Sequence, residues 1–164
     1  MKQKKVWILC GAPGSGKSTW LNNSTFAANG IVVSRDLERF ALLKDSDKYF
    51  AQEKLVYNNF IQHITEACVK SDVVFADATH LNWPSRRKLL TRLNLDRNQY
   101  KIGCIIFTTP LNICIQRNAC RIGRAQVPVE KITEMYNSFT HPLFDPYKYD
   151  SLLEVDTHGN ITEI

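Results

Sequence analysis

The segment Gly11-Ala12-Pro13-Gly14-Ser15-Gly16-Lys17-Ser18-Thr19 holds the residues whose types and spacing speak most directly of chemistry. It fits G-x-x-x-x-G-K-[ST] in full, with the apolar run Val6–Cys10 before it and a helical pattern after it. Glycines at those places let the backbone curl, so that successive N–H groups point inward at an anion. The helix N-terminus behind them adds partial positive charge. A lysine in this setting reaches the β- and γ-phosphates of a nucleotide, and the hydroxyl after it ligates Mg²⁺. Gly11 to Thr19 are therefore expected to hold a nucleoside triphosphate, with Lys17 on its phosphates and Ser18 on the metal.

Further candidates follow other apolar runs. Ile31–Ser34 leads into Arg35-Asp36-Leu37-Glu38-Arg39, where Asp36 can take a proton from an attacking hydroxyl and Arg39, one helical turn on, shares its face. An aspartate there also suits a helix N-cap, and both readings stay open. Val73–Ala76 leads into Asp77-Ala78-Thr79-His80, where Asp77 is placed to hold Mg²⁺ through water or to cap loop amides. His80 is read as structural in the first place, with substrate contact as the alternative. Arg117, Arg121 and Arg124 close a third set: either a lid over a transferring phosphate or the basic end of a helix.

These groups need a scaffold, and the chain supplies one. It has 164 residues, 44% apolar and 23% charged, which excludes a disordered or collagen-like chain and suits a single domain over 1–164. Runs rich in β-branched residues alternate with helical patterns: strands over 6–10, 31–34, 73–76, 102–107 and 152–155, and helices from Lys17, near Asp36, over 48–70, from Asn82 to Asn94, after Thr109-Pro110, and from Pro128. That alternation predicts an α/β fold with a parallel sheet of about five strands covered by helices on both faces. Ligands of such sheets bind at the carboxyl ends of the strands, where all the candidates fall. The turn His158-Gly159-Asn160 predicts a terminal hairpin.

Charge is uneven. Residues 83–124 carry net +8 and residues 125–164 net −5, so the central block points to an anionic partner or to solvated helix faces. Five cysteines without C-x-x-C spacing read as buried, reduced thiols. The longest apolar run has five residues, far short of the ~20 of a membrane span, and the basic start Lys2, Lys4, Lys5 runs into it without the length of an export signal. A cytoplasmic protein with no membrane partner is the expectation. No N-K-x-D element for reading guanine is present, which disfavours a GTPase.

Together the strings G-A-P-G-S-G-K-S-T-W, S-R-D-x-x-R, D-A-T-H-L-N-x-x-x-R-R and R-N-x-x-R-x-x-R resemble the 5′-kinase domain of phage-type polynucleotide kinases over about residues 4–140. The resemblance implies a P-loop kinase fold with an arginine-bearing lid at about 117–128, and ATP and Mg²⁺ as cofactors. It implies Asp36 as general base and Lys17 and Arg121 on the transferring phosphate, with Arg124 as a helper. Arg39 and Thr79 would bind the acceptor, and Ser18 and Asp77 the metal. The acceptor would be the 5′-hydroxyl of a nucleic acid end or of a nucleoside 3′-phosphate. Kinases of small metabolites, nucleosides or sugar conjugates share these motifs, and a non-enzymatic nucleotide-binding module is the remaining alternative. The D-x-D-x-T string of a 3′-phosphatase domain is absent. The segment His141-Pro142-Leu143-Phe144-Asp145 takes no role from sequence.

Overall fold

A computed structural model describes residues 3–164, so Lys2 of the basic start lies outside the described residues. The elements in chain order are β1 (Lys4–Cys10), α1 (Lys17–Asn23), β2 (Ile31–Ser34), α2 (Arg35–Leu42), α3 (Glu53–Lys70), β3 (Val73–Asp77), α4 (Trp83–Leu93), β4 (Tyr100–Phe107), α5 (Leu111–Ala119), α6 (Val129–Asn137), β5 (Ser151–Val155) and β6 (Ile161–Glu163). They form one six-stranded sheet in the order β2-β3-β1-β4-β5-β6. Five strands run parallel, and β6 returns antiparallel on β5 as the arm of the terminal hairpin. No helix is long and apolar enough to cross a membrane among the described residues.

Strand alternation decides which layer each residue serves. Val6, Ile8 and Cys10 of β1 pack with Tyr57, Phe60, Ile61 and Ile64 of α3 and Leu89 of α4. Trp7 and Leu9 point the other way, onto Trp20 and Leu21 of α1. Because β1 is buried on both faces, its sequence is a continuous apolar run rather than an alternating one. It lies between β3 and β4, so the loop after it opens beside the ends of both.

The structure corrects three sequence expectations. α3 begins at Glu53, not 48: residues 48–52 form turns, in which Tyr49 and Phe50 meet edge to face at 4.7 Å. α5 ends at Ala119, so Arg121 stands on the loop beyond it and not in the basic end of the helix. Cys120 is exposed, while Cys10, Cys68, Cys104 and Cys114 are buried thiols.

The segment that had no role becomes an anchor. Arg86 of α4 has a fully buried side chain, and its Nε and Nη2 donate to Asp145 at 2.7 and 2.6 Å. Its remaining donors reach the carbonyls of His80 and Thr140 at 2.9 and 2.8 Å, and Tyr149 Oη donates to Asp145 at 2.8 Å. The acidic tail thus fixes the loop after β3, which carries Thr79. Removing one partner of a buried ion pair strands the other charge and costs about 3–5 kcal/mol. Asp145→Ala should lower the unfolding free energy by that amount in urea titration; a loss below about 1 kcal/mol would mean that solvent reaches Arg86.

Candidate functional site

The loop between β1 and α1 is held from three sides. Gly11 N donates to Thr79 O at 2.9 Å, Thr109 Oγ1 donates to Ser15 O at 2.9 Å, and Ser15 N turns back on Ala12 O at 3.1 Å. Gly14 sits at φ 81°, and a Cβ there would come within 2.3 Å of Cys114 O, so α5 packs where only glycine fits. Gly16 precedes α1 at φ 97°, and its Cβ would lie 3.1 Å from Arg117 Nη1. Lys17 Nζ donates to Gly11 O at 2.8 Å and Ala12 O at 3.1 Å, within the curl of the loop. Burial pushes its pKa down, opposed by the carboxylates of Asp77 and Asp36.

Ser18 Oγ donates to Asp77 Oδ2 at 3.4 Å. Burial raises the Asp77 pKa, with Lys17 pulling it down. A hydroxyl beside a carboxylate is an oxygen donor set that fits Mg²⁺, which takes one or two protein ligands and fills its shell with water and phosphate. The described residues include no group of three or more His, Cys, Asp and Glu that could hold a metal ion.

Asp36 opens onto the same cleft. It is not the cap of α2: Ser34 is, its Oγ accepting from Leu37 N at 3.4 Å, which leaves the aspartate free in the first turn. Arg39 Nη1 and Tyr49 Oη both donate to Oδ1 of Asp36, Tyr49 at 2.6 Å. No bond inside the protein is made to Oδ2 among the described residues. Arg39 is 3% exposed and is itself held by Glu53 Oε1 at 2.8 Å and by Tyr49 Oη at 2.8 Å. Sequence reading missed Tyr49 and Glu53; an aromatic pair inside a polar turn, Tyr49-Phe50, was the available signal.

One cleft is lined by Lys17, Ser18, Asp36, Arg39, Asp77 and Thr79 with Tyr49, Phe50 and Arg121. A second, more open one lies across the loop between α1, α5 and the turn of the β5–β6 hairpin, lined by Thr19, Asn23, Arg117, Thr157 and Gly159. Gly14, Gly16, Thr19 and Arg121 line both. Arg121 thus stands where the two meet. Its loop is pinned at the base by Asn118, which donates to Val127 O at 2.7 Å and accepts from Val127 N at 2.9 Å. Arg124 is not brought to the glycine-rich loop. Its Nη1 and Nη2 donate to Leu43 O at 2.7 Å and Phe40 O at 3.3 Å, carbonyls at the end of α2 that favour a cation.

His80 is structural. It sits at φ 39°, stacks on Phe60, and donates Nδ1–H to Leu9 O at 2.9 Å. Burial lowers its pKa from 6.5 to about 4. Above pH 6.5 the ring is neutral in both folded and unfolded chains, and the full stability is present. As pH falls from 6.5 towards 4 the unfolded chain takes up a proton that the folded one excludes, so about 3 kcal/mol is lost across that window. Unfolding free energies measured from pH 7 to 4 should show this slope in the wild type and lose it in His80→Asn, which tolerates the left-handed backbone. Parallel curves for the two proteins would refute the buried neutral ring.

The family model described as AAA domain matches residues 6–142. Among solved structures, a chain of the Pnkp1/Rnl/Hen1 RNA repair complex is 24% identical with a TM-score of 0.66, over 84% of this chain and 44% of that one. A fungal RNA kinase is 15% identical with a TM-score of 0.64, over 94% and 75%. A sugar kinase from a Janibacter species is 13% identical with a TM-score of 0.61, over 96% and 87%. This chain spans less than half the length of the RNA repair chain it matches. At these identities the likenesses speak for the fold, which is that of P-loop kinases.

Proposed function

This chain belongs to the AAA domain family, and on that footing we propose that it moves the γ-phosphoryl of ATP to the 5′-hydroxyl of a polynucleotide or nucleoside 3′-phosphate. One observation carries the reading: an aspartate with one oxygen held by Arg39 and Tyr49 lines the cleft that also contains Lys17, Ser18 and Asp77. Phosphoryl transfer asks the protein mainly to position reactants and to neutralise charge, and this arrangement serves both. The triphosphate would lie on the N–H groups of the loop, with its nucleoside in the cleft beside Arg117 and the hairpin turn. Ser18 and Asp77 would hold Mg²⁺, which when bound neutralises phosphate charge. The acceptor hydroxyl would give its proton to Asp36 Oδ2 as its oxygen attacks the γ-phosphorus in line, and the bond to the β-phosphate oxygen breaks to release ADP. Lys17 and Arg121 would meet the charge that develops, and Thr79 would line the acceptor side.

A kinase of a sugar or other small metabolite is the second reading. It draws support from Arg39, whose guanidinium is already engaged by Asp36, Glu53 and Tyr49 and so has less to offer a 3′-phosphate. Competition for ATP among 5′-hydroxyl RNA, 5′-hydroxyl DNA, nucleoside 3′-monophosphates and gluconate separates the two. The leading reading expects kcat/KM for the nucleic acid acceptors to exceed that for gluconate at least ~100-fold, as a site built around its own substrate's polar groups discriminates. A preference for gluconate would replace it with the second.

Tyr49 should matter to the rate. Loss of a hydrogen bond to a charged group costs about 1.5–3 kcal/mol, roughly ten- to a hundredfold. Tyr49→Phe should therefore lower kcat about tenfold or more while leaving the KM for ATP near the wild-type value, because the hydroxyl holds the base and not the donor. An unchanged kcat would show that Arg39 alone orients Asp36.

A further inference from the structure

Three cations converge on one aromatic ring outside the catalytic cleft. Tyr57 lies one turn beyond Glu53 on α3 and is 6% exposed. Its ring centroid is 4.2 Å from Lys88 Nζ, 5.1 Å from the Arg35 guanidinium and 5.7 Å from that of Arg92. Arg35 has a carboxylate partner, Glu53 at 2.7 Å. Arg92 donates to the neutral Asn58 Oδ1 at 3.0 Å. Among the described residues no carboxylate pairs with Lys88 or Arg92. The ring attracts a cation to each of its two faces. A third crowded beside it adds like-charge repulsion that the ring does not offset.

Two donors in the same place are buried with no acceptor: Tyr57 Oη and Arg35 Nε. Buried donors normally find a partner. A tetrahedral anion with several acceptor oxygens answers both the uncompensated charge and the orphaned donors. Arg35 also lines the cleft that holds Asp36, so the cluster begins at the acceptor's place and continues across to α4. α4 has four basic residues and no acidic one; Arg86 is turned inward onto Asp145, which leaves Arg87, Lys88 and Arg92 exposed.

We propose that Arg35, Tyr57, Lys88 and Arg92 form a phosphate subsite for the backbone of a single-stranded nucleic acid whose 5′ end lies at Asp36. The assignment rests on the acceptor side of the reaction proposed above and extends it. The substrate is a chain, held by at least one phosphate beyond the reacting nucleoside.

The test is binding of fluorescent 5′-hydroxyl hexanucleotides, RNA and DNA, and of the matching nucleoside 3′-monophosphate, by the wild type, Lys88→Gln/Arg92→Gln and Tyr57→Phe. Affinity should rise with length in the wild type. The double variant should bind the hexanucleotide about tenfold or more weakly, and the slope of log K against log salt should flatten by about 0.7 for each phosphate it no longer neutralises. Tyr57→Phe keeps the ring and the cations and removes only the orphaned hydroxyl; a few-fold loss is expected. Equal hexanucleotide affinity and salt slope in the wild type and the double variant overturns the subsite. So does a wild type that binds no hexanucleotide, or one from which polyglutamate of equal charge displaces the hexanucleotide as well as unlabelled hexanucleotide does; the last would indicate an acidic polypeptide. Transfer from ATP to the same hexanucleotide by the wild type is measured alongside and reports separately on the reaction. Binding weakened in the double variant without transfer by the wild type keeps the subsite and refutes the reaction.

Discussion

Lys17→Ala is expected to abolish phosphate transfer to every acceptor, with a loss of at least ~10³-fold. The lysine rests on Gly11 O and Ala12 O within the loop, at the floor of the cleft that also holds Asp36 and Asp77. From there its ammonium would meet the β- and γ-phosphates in the ground state and in the transition state, so both ATP affinity and kcat should fall. The fold should survive, because the loop keeps its ties through Thr79, Thr109 and Ser15 when the two bonds from the lysine side chain are lost. Initial rates with labelled ATP, together with a thermal melt, check both points. A variant that keeps more than a tenth of its activity would remove the loop from the reaction.

Asp36→Asn should produce a different defect of nearly the same size. A general base contributes about 10²–10⁴-fold. The amide keeps the shape and can still accept from Arg39 and Tyr49 through its oxygen, so the network around Arg39 should hold. What it cannot do is take the proton. ATP·Mg²⁺ should bind with close to wild-type affinity while transfer to a 5′-hydroxyl slows at least ~10²-fold, a loss in kcat without a matching rise in the KM for ATP. Ser34 already caps α2, so a drop in stability with no drop in rate would contradict this account directly.

The local features of the site are legible in sequence. The glycine-rich loop declares itself because its spacing is set by backbone geometry within nine residues, and Asp36 and Asp77 because strand ends in a parallel sheet gather ligands. The AAA domain match over 6–142 and the six-stranded sheet agree with that reading of the fold. What stays hidden depends on pairings between distant segments. Arg124 reads as part of a lid, but the chain folds it onto carbonyls 81 and 84 residues earlier. Arg86 reads as one of several exposed basic residues on α4, yet Asp145, 59 residues on, pairs with it in the interior. Tyr49 is hidden differently: apolar periodicity carries the predicted helix back to 48, whereas Tyr49 and Phe50 leave the helix to stack around Arg39, with ring centroids 4.2 and 5.7 Å from its guanidinium. A side chain recruited by a buried charge gives no periodic signal.

The central claim is that Asp36 accepts the proton of a nucleic acid 5′-hydroxyl while the loop holds ATP. A single-turnover reaction with γ-labelled ATP, Mg²⁺ and a 5′-hydroxyl oligonucleotide, followed by digestion to mononucleotides, locates the label. The account predicts label on the 5′-oxygen of the terminal nucleotide with the wild type, and at least ~10²-fold slower labelling with Asp36→Asn. Release of labelled inorganic phosphate with none on the oligonucleotide, or labelling at the wild-type rate by Asp36→Asn, would contradict it.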